Sequence, residues 1–200
     1  MRVPEGYVLA GDLFDDWQGK PLWFWLLSGN LLALLPLGAA ITLLWLPYQF
    51  YVALGAPLAL FAEPLWPGWV WGLAAALLLA ASMLLHEALH GMALRRLGYR
   101  ARLSYNSGYL YATVEAGQFL TRHHYLLMTL TPLALMSCGG GLVLPFLPPG
   151  WGQLWVLALL LNAAASIGDL VVARRTLRYP QSALFTDAAG IKVYVLAQRS

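Results

Sequence analysis

Cysteine is almost missing from this chain: 200 residues contain one, Cys138. That excludes an internal disulfide framework and a cysteine-based zinc cluster. We expect Cys138 itself to act as a small apolar residue packed in a helix. Charge is nearly as scarce. Asp, Glu, Lys and Arg make up 10% of the residues, against about 25% in ordinary soluble domains, and 60% of the chain is hydrophobic. So little polar side chain cannot cover a soluble fold of this size, so the sequence reads as one polytopic membrane domain, residues 1–200, with little soluble mass. The net charge of +3 is no sign of nucleic acid, because the basic residues have a topological explanation. There is no internal repeat and no low-complexity tract.

Long apolar runs are what the chain has in abundance. Residues 22–48, 69–94, 125–147 and 151–173 each approach or exceed the ~20 apolar residues that cross a bilayer. Residues 1–21 are polar, with Asp12, Asp15 and Asp16 and no small-residue cleavage site behind a short apolar core. They read as a cytoplasmic N-terminus rather than a signal peptide, with the first run as an uncleaved anchor. The apolar stretch 49–67 is broken by Pro57, Pro64 and Pro67, and we expect it to be a re-entrant or interfacial segment on the outer side.

Orientation follows from where the cations are. Every Lys and Arg lies near the N-terminus (Arg2, Lys20), after the second run (Arg95, Arg96, Arg100, Arg102, Arg122) or near the C-terminus (Arg174, Arg175, Arg178, Lys192, Arg199). The positive-inside rule places all three regions in the cytoplasm, with 22–173 as the membrane core and 174–200 as a cytoplasmic tail. Trp66, Trp69, Trp71, Trp151 and Trp155 then cluster at the outer surface and Trp17, Trp23 and Trp25 at the inner one, as an aromatic belt requires. Two stretches lack helical character. Tyr99 to Tyr105 and Tyr109 to Val114 flank the turn signal Asn106-Ser107-Gly108, which predicts a cytoplasmic β-hairpin between spans two and three. A smaller C-terminal hairpin is expected from 183–186 and 191–196, joined through Asp187-Ala188-Ala189-Gly190. The expected fold is therefore mainly α, with about four transmembrane helices and two small β-hairpins.

His86-Glu87-Ala88-Leu89-His90 lies within the second run. Helical residues four apart stand on one face, so His86 and His90 can offer two imidazole nitrogens to one metal ion. Glu87 lies one step round and can reach a water beside that metal. This is the H-E-x-x-H pattern of zinc hydrolases. Chance produces it in roughly one chain of this length in a few hundred. Inside a span it is rarer still, because each ionisable residue there costs about 2.5–3.5 kcal/mol on insertion scales. A catalytic zinc commonly takes three protein ligands, so one remains to be found. In the fourth run Asn162, Ser166 and Asp169 form a polar stripe at i, i+4 and i+7. Asp169 is the only acid in the four runs besides Glu87, and it lies five residues before Arg174, as His90 lies five before Arg95. Equal spacing from the basic boundary puts the two at about the same depth. His123 and His124, at the mouth of the third run, are expected to be a solvated interfacial pair. Thr131-Pro132 predicts a kink, and Ser137 to Gly141 a close-packing surface.

The order of these features, with the motif first, then a hairpin, then Leu130-Thr131-Pro132-Leu133, then Asn162 and Gly168-Asp169, resembles the site-2 protease class of intramembrane zinc metallopeptidases. It is most similar to the small bacterial family described as putative zincin peptidases, formerly a domain of unknown function. The resemblance covers about residues 70–195. It implies Zn2+ held by His86, His90 and Asp169, Glu87 as the catalytic base, and a bacterial plasma membrane location. In that class the aspartate precedes a glycine and follows an asparagine with prolines between. Here the glycine comes first, the prolines are missing, and Asn162 is seven residues upstream. The implied partners are the lipid bilayer and a membrane protein or peptide substrate. Two rival readings share these residues: a non-catalytic protein that binds membrane segments, and a zinc hydrolase of a non-protein substrate. Retention of Glu87 favours an enzyme. Four histidines are too few for a di-iron lipid oxidase.

Overall fold

A computed structural model describes residues 3–15, 20–53, 66–106, 109–147, 151–188 and 190–197. The expected turn at 107–108, positions 54–65 of the expected outer segment, Trp17 and Ala189 of the C-terminal turn lie outside them.

The chain is mainly helical, as the long apolar runs require. A short strand, β1 (Tyr7–Asp12), precedes α1 (Leu22–Ala53) and α2 (Gly68–Arg96). Strands β2 (Ala101–Asn106), β3 (Tyr109–Val114) and β4 (Leu120–Thr121) lead into α3 (Arg122–Val143), which ends in a 3-10 turn at Leu144–Phe146. Helices α4 (Trp151–Ala165) and α5 (Ile167–Thr176) follow, then β5 (Leu184–Thr186) and β6 (Lys192–Leu196). Among the described residues three helical segments are long and apolar enough to cross a membrane: Gly68–Arg96, Arg122–Phe146 and Trp151–Thr176. In α1 the described apolar stretch is Leu31–Trp45.

The boundaries have local causes. Pro67 offers its carbonyl to the amides of Val70 and Trp71 (2.9 and 3.1 Å) and so starts α2. The other end closes as a Schellman motif. Tyr99 N–H bonds the Leu94 carbonyl (2.9 Å) and Gly98 N–H the Arg95 carbonyl (3.1 Å), with Gly98 at φ 88°. Only glycine takes that conformation without strain, so α2 stops there and β2 begins. The fourth span departs from the unbroken helix expected at 151–173. It divides at Ser166, whose amide and hydroxyl both bond the Asn162 carbonyl (2.9 and 2.8 Å). A hydroxyl that back-bonds four residues up its own helix perturbs the regular ladder.

Contact density divides the chain into two compact units. The first contains Met1–Trp25, Glu87–Pro132 and Gly168–Ser200. Its strands form two antiparallel sheets. The expected hairpin β2–β3 forms, with Ala101 opposite Val114 and Leu103 opposite Ala112. The C-terminal hairpin β5–β6 also forms, but within a larger sheet of order β1-β6-β5-β4. The N-terminal strand was not legible as such. Its exposed Val8 and Leu9 give no alternation, and pairing with β6 from Tyr7–Leu196 to Asp12–Lys192 is what orders it. The core of this unit joins Leu94, Val114, Leu120, Tyr125, Met128, Phe185 and Val193. Tyr125 and Phe185 stack with ring centroids 5.0 Å apart. Arg122 caps the Tyr179 carbonyl (2.8 Å), and Arg175 bonds the Leu13 carbonyl (2.6 Å) while lying over the Phe14 ring.

The second unit contains Leu26–His86 and Leu133–Ile167. The close-packing surface expected at Ser137 to Gly141 narrows to one glycine. A Cβ on Gly140 would collide with Leu159, and the Gly140 carbonyl accepts the Trp155 indole N–H (2.9 Å). Trp66 meets Trp151 edge to face. Cys138 is exposed on α3, not packed as expected.

Candidate metal centre

The site starts from helix α2. Its 3.6-residue repeat stacks His86 and His90 one turn apart. His86, His90 and Asp169 each offer one ligand atom, and these three atoms lie within 4.8 Å of one another. His90 Nε2 is 3.4 Å from Asp169 Oδ1. Two ligands held about 2.0–2.1 Å from a tetrahedral zinc stand about 3.4 Å apart, so this pair has the spacing of one tetrahedral edge. Both residues are shielded, with side chains 9% and 18% exposed.

The protonation of both rings follows from their partners. His90 Nδ1 is 2.9 Å from the Met128 carbonyl oxygen, and His86 Nδ1 is 2.9 Å from Asn162 Oδ1. Both partner atoms only accept hydrogen bonds, so each Nδ1 carries the proton and donates. Each Nε2 then keeps the lone pair that a metal requires. The Met128 carbonyl is available to His90 for a reason written four residues on. In a regular helix it would take the amide of residue 132, which is Pro132 and has none. The proline read as a kink thus supplies the acceptor that orients a histidine.

Glu87 points toward the hairpin. Its Oε2 accepts the N–H of Ala112 in β3 (2.9 Å). Two residues along the same strand edge, Val114 N–H donates to Asp187 Oδ1 (2.9 Å). Asp187 went unread in the sequence, where it appeared only as a turn residue. The available signal was a lone acid beside a buried apolar strand. Burial pushes its carboxyl up to about 6, against the Val114 and Asp187 N–H groups, which favour ionisation. His123 and His124 take no part in this cluster. His124 Nδ1 is 2.8 Å from the Tyr99 hydroxyl, and His123 is exposed.

Two neutral imidazoles and one carboxylate, with a glutamate beside the first histidine, make the donor set of a zincin-type metal site. The residues fit zinc by donor type, tautomer and the 3.4 Å spacing. The chain belongs to the family described as putative zincin peptidase, which matches residues 79–184, just over half of its length. The matched segment carries His86, Glu87, His90 and Asp169 and ends before Asp187. No curated protein and no solved structure is significantly similar to the chain.

Two outcomes are expected. Asp169→Ala removes the only acidic donor and should strip zinc almost completely under mild chelation, while Asn162→Ala and Pro132→Ala should weaken affinity by about 10–100-fold through the orientation of His86 and His90. Zinc per protein, measured by elemental analysis over a chelator series, tests the ranking. Full retention in Asp169→Ala would remove it from the ligand set.

The second outcome concerns Asp187. Its folded pKa lies above the ordinary aspartate value, so the folded state holds the proton more tightly than the unfolded one. Stability of metal-free protein should then fall as pH rises from about 4 to about 6 and level off above, by at most about 3 kcal/mol. Asp187→Asn keeps an acceptor for Val114 and should flatten that slope. Melting temperatures of chelator-treated protein between pH 4 and 8 report it, and an unchanged slope in the variant would refute the assignment.

Proposed function

We propose that this chain is a membrane-embedded zinc metalloprotease of the site-2 protease kind, cutting peptide bonds of membrane proteins near the cytoplasmic face. The observation that carries this reading is the convergence, within 4.8 Å, of one ligand atom each from His86 and His90 of the apolar helix α2 and from Asp169 of α5. In that reading His86, His90 and Asp169 hold the metal. When bound, zinc supplies the Lewis acidity that polarises a peptide carbonyl and acidifies a water. Glu87 takes the proton from the attacking water and returns it to the departing nitrogen. Ala112 N–H holds one carboxylate oxygen of Glu87 until a segment pairs with β3. The Nδ1 hydrogen bonds to Met128 and Asn162 hold the two rings in place during the reaction.

A transmembrane substrate must lose its helical hydrogen bonds before its carbonyls can be attacked. The hairpin β2–β3 supports docking of the unwound segment by strand addition. The outward N–H groups of Ala112 and Val114 are bonded to Glu87 and Asp187, so a strand joining β3 has to replace both carboxylates with its own carbonyls.

A variant of the base separates chemistry from binding. Glu87→Gln should keep its zinc and lose hydrolysis of a transmembrane reporter substrate by several orders of magnitude. Undiminished turnover would exclude Glu87 as the base, and a wild-type protein inert toward every substrate tried would favour the segment-binding rival.

Sidedness is tested separately. With Cys138 replaced by Ser, single cysteines at Glu115 and Phe146 should label from opposite faces of the membrane, position 115 from the cytoplasm. Labelling of both from one face would overturn the four-span orientation.

A further inference from the structure

The hairpin and the last turns of α2 enclose a cavity of about 360 Å³. Its lining is divided by chemistry. Ala88, Gly91, Met92, Ala101, Leu103 and Ala112 form an apolar floor and walls, and Arg95, Arg96 and Arg102 complete the lining. The space exists because the residues that face each other are small. A Cβ on Gly91 would lie 3.8 Å from that of Ala112 and 4.0 Å from that of Ala101. Ala101 and Leu103 alternate onto one face of β2, and Leu103 pairs with Ala112. All three arginines are exposed, and among the described residues none of them is ion-paired. The neighbouring Arg100 does have a partner, Glu115 at 3.6 Å.

Arg95 and Arg96 are the last residues of a 29-residue apolar helix, so the cavity opens where that helix meets the headgroup layer. An apolar cleft ending in three uncompensated guanidinium groups at that level complements an anionic amphiphile. We propose that this cavity is a binding site for an anionic phospholipid. The headgroup phosphate is held by Arg95, Arg96 and Arg102, and the start of an acyl chain lies over Gly91, Met92 and Leu103. Guanidinium groups suit the phosphate because their planar donors engage its oxygens in pairs. The volume falls within the range of small-ligand sites. The site stands apart from the metal centre and does not depend on peptidase activity. It does share one residue with it: Ala112 lines the cavity and, through its N–H, holds Glu87.

The test uses the full chain in detergent micelles, titrated with phosphatidylglycerol or phosphatidylcholine and read by native mass spectrometry. Wild type should bind phosphatidylglycerol at least about 10-fold more tightly, and Arg95→Gln/Arg96→Gln/Arg102→Gln should lose on the order of 100-fold. Two variants fill the cavity and leave every charge in place, Gly91→Leu and Met92→Trp. Whichever of them retains the wild-type melting temperature should lose phosphatidylglycerol binding at least several-fold. Equal binding of the two lipids would overturn the proposal. Wild-type binding in a folded cavity-filled variant would reduce the arginines to a diffuse basic surface and also overturn it. Complete displacement of the lipid by millimolar inorganic phosphate, or by a poly-glutamate peptide at micromolar concentration, would reassign the site to free phosphate or to an acidic peptide.

Discussion

A carbonyl without its helical partner is the constraint on which the site depends. Pro132 cannot donate to the Met128 oxygen, and a buried main-chain carbonyl left unpaired costs about 1–3 kcal/mol. His90 removes that cost and gains a fixed tautomer in the same contact, at 2.9 Å. One proline on α3 thereby sets the ring of a histidine on α2, and Met128 and Tyr125 beside it carry the core to Phe185 on β5. The polar atom that orients the site and the apolar packing that holds the first unit together belong to neighbouring residues of one helix. His86 is tied by an analogous bond to an amide side chain, and the Asn162 main-chain oxygen in turn receives both donors of Ser166. The break between α4 and α5 and the orientation of His86 thus share a residue.

The parts of this arrangement that were legible in the sequence are those governed by local periodicity. Two histidines four apart, the spans, both hairpins and the level match of His90 with Asp169 follow from rises and repeats that an isolated helix or strand already obeys. The 3.4 Å between Asp169 Oδ1 and His90 Nε2 is compatible with equal spacing from two basic boundaries, though depth alone does not bring two helices into contact. Asn162 was visible as part of a polar stripe, but its contact with His86 rather than with a metal depends on the angle at which two elements meet. No single-helix pattern encodes that angle. The strand at Tyr7–Asp12 was hidden for a related reason: its order comes from β6, nearly 190 residues away, and not from its own alternation. Asp187 was missed because a carboxylate in an Asp-Ala-Ala-Gly turn looks like turn chemistry until β3 is laid against it.

Membrane-spanning helices also explain where the molecule places its packing. In the apolar window of α2 only 6% of residues are buried by protein, against 33% in the Trp151–Thr176 segment. Leu73, Leu77, Leu84 and Leu85 all remain exposed. In water such a face would drive association. Against lipid tails it costs nothing, so the helix needs protein contacts only where it carries ionisable groups. That is where they are found. His90, Ala93 and Leu94 are buried, and the helix enters the core of the first unit within about one turn of the last histidine.

Strand β3 brings the remaining steps together. Its inner edge pairs with β2, and its outer edge presents N–H groups at every second residue. Two of them, on Ala112 and Val114, are occupied by side-chain carboxylates and not by another strand. Carboxylates close a strand edge against indiscriminate pairing, as charged groups do on exposed sheet edges generally. Main-chain carbonyls can still displace them, because the hydrogen bond exchanged is similar and the released carboxylate regains water. In the proposed reading, an extended backbone pairing with β3 would take over the Ala112 N–H and release Glu87. A single strand edge would then couple the arrival of such a segment to the release of the one glutamate in the motif.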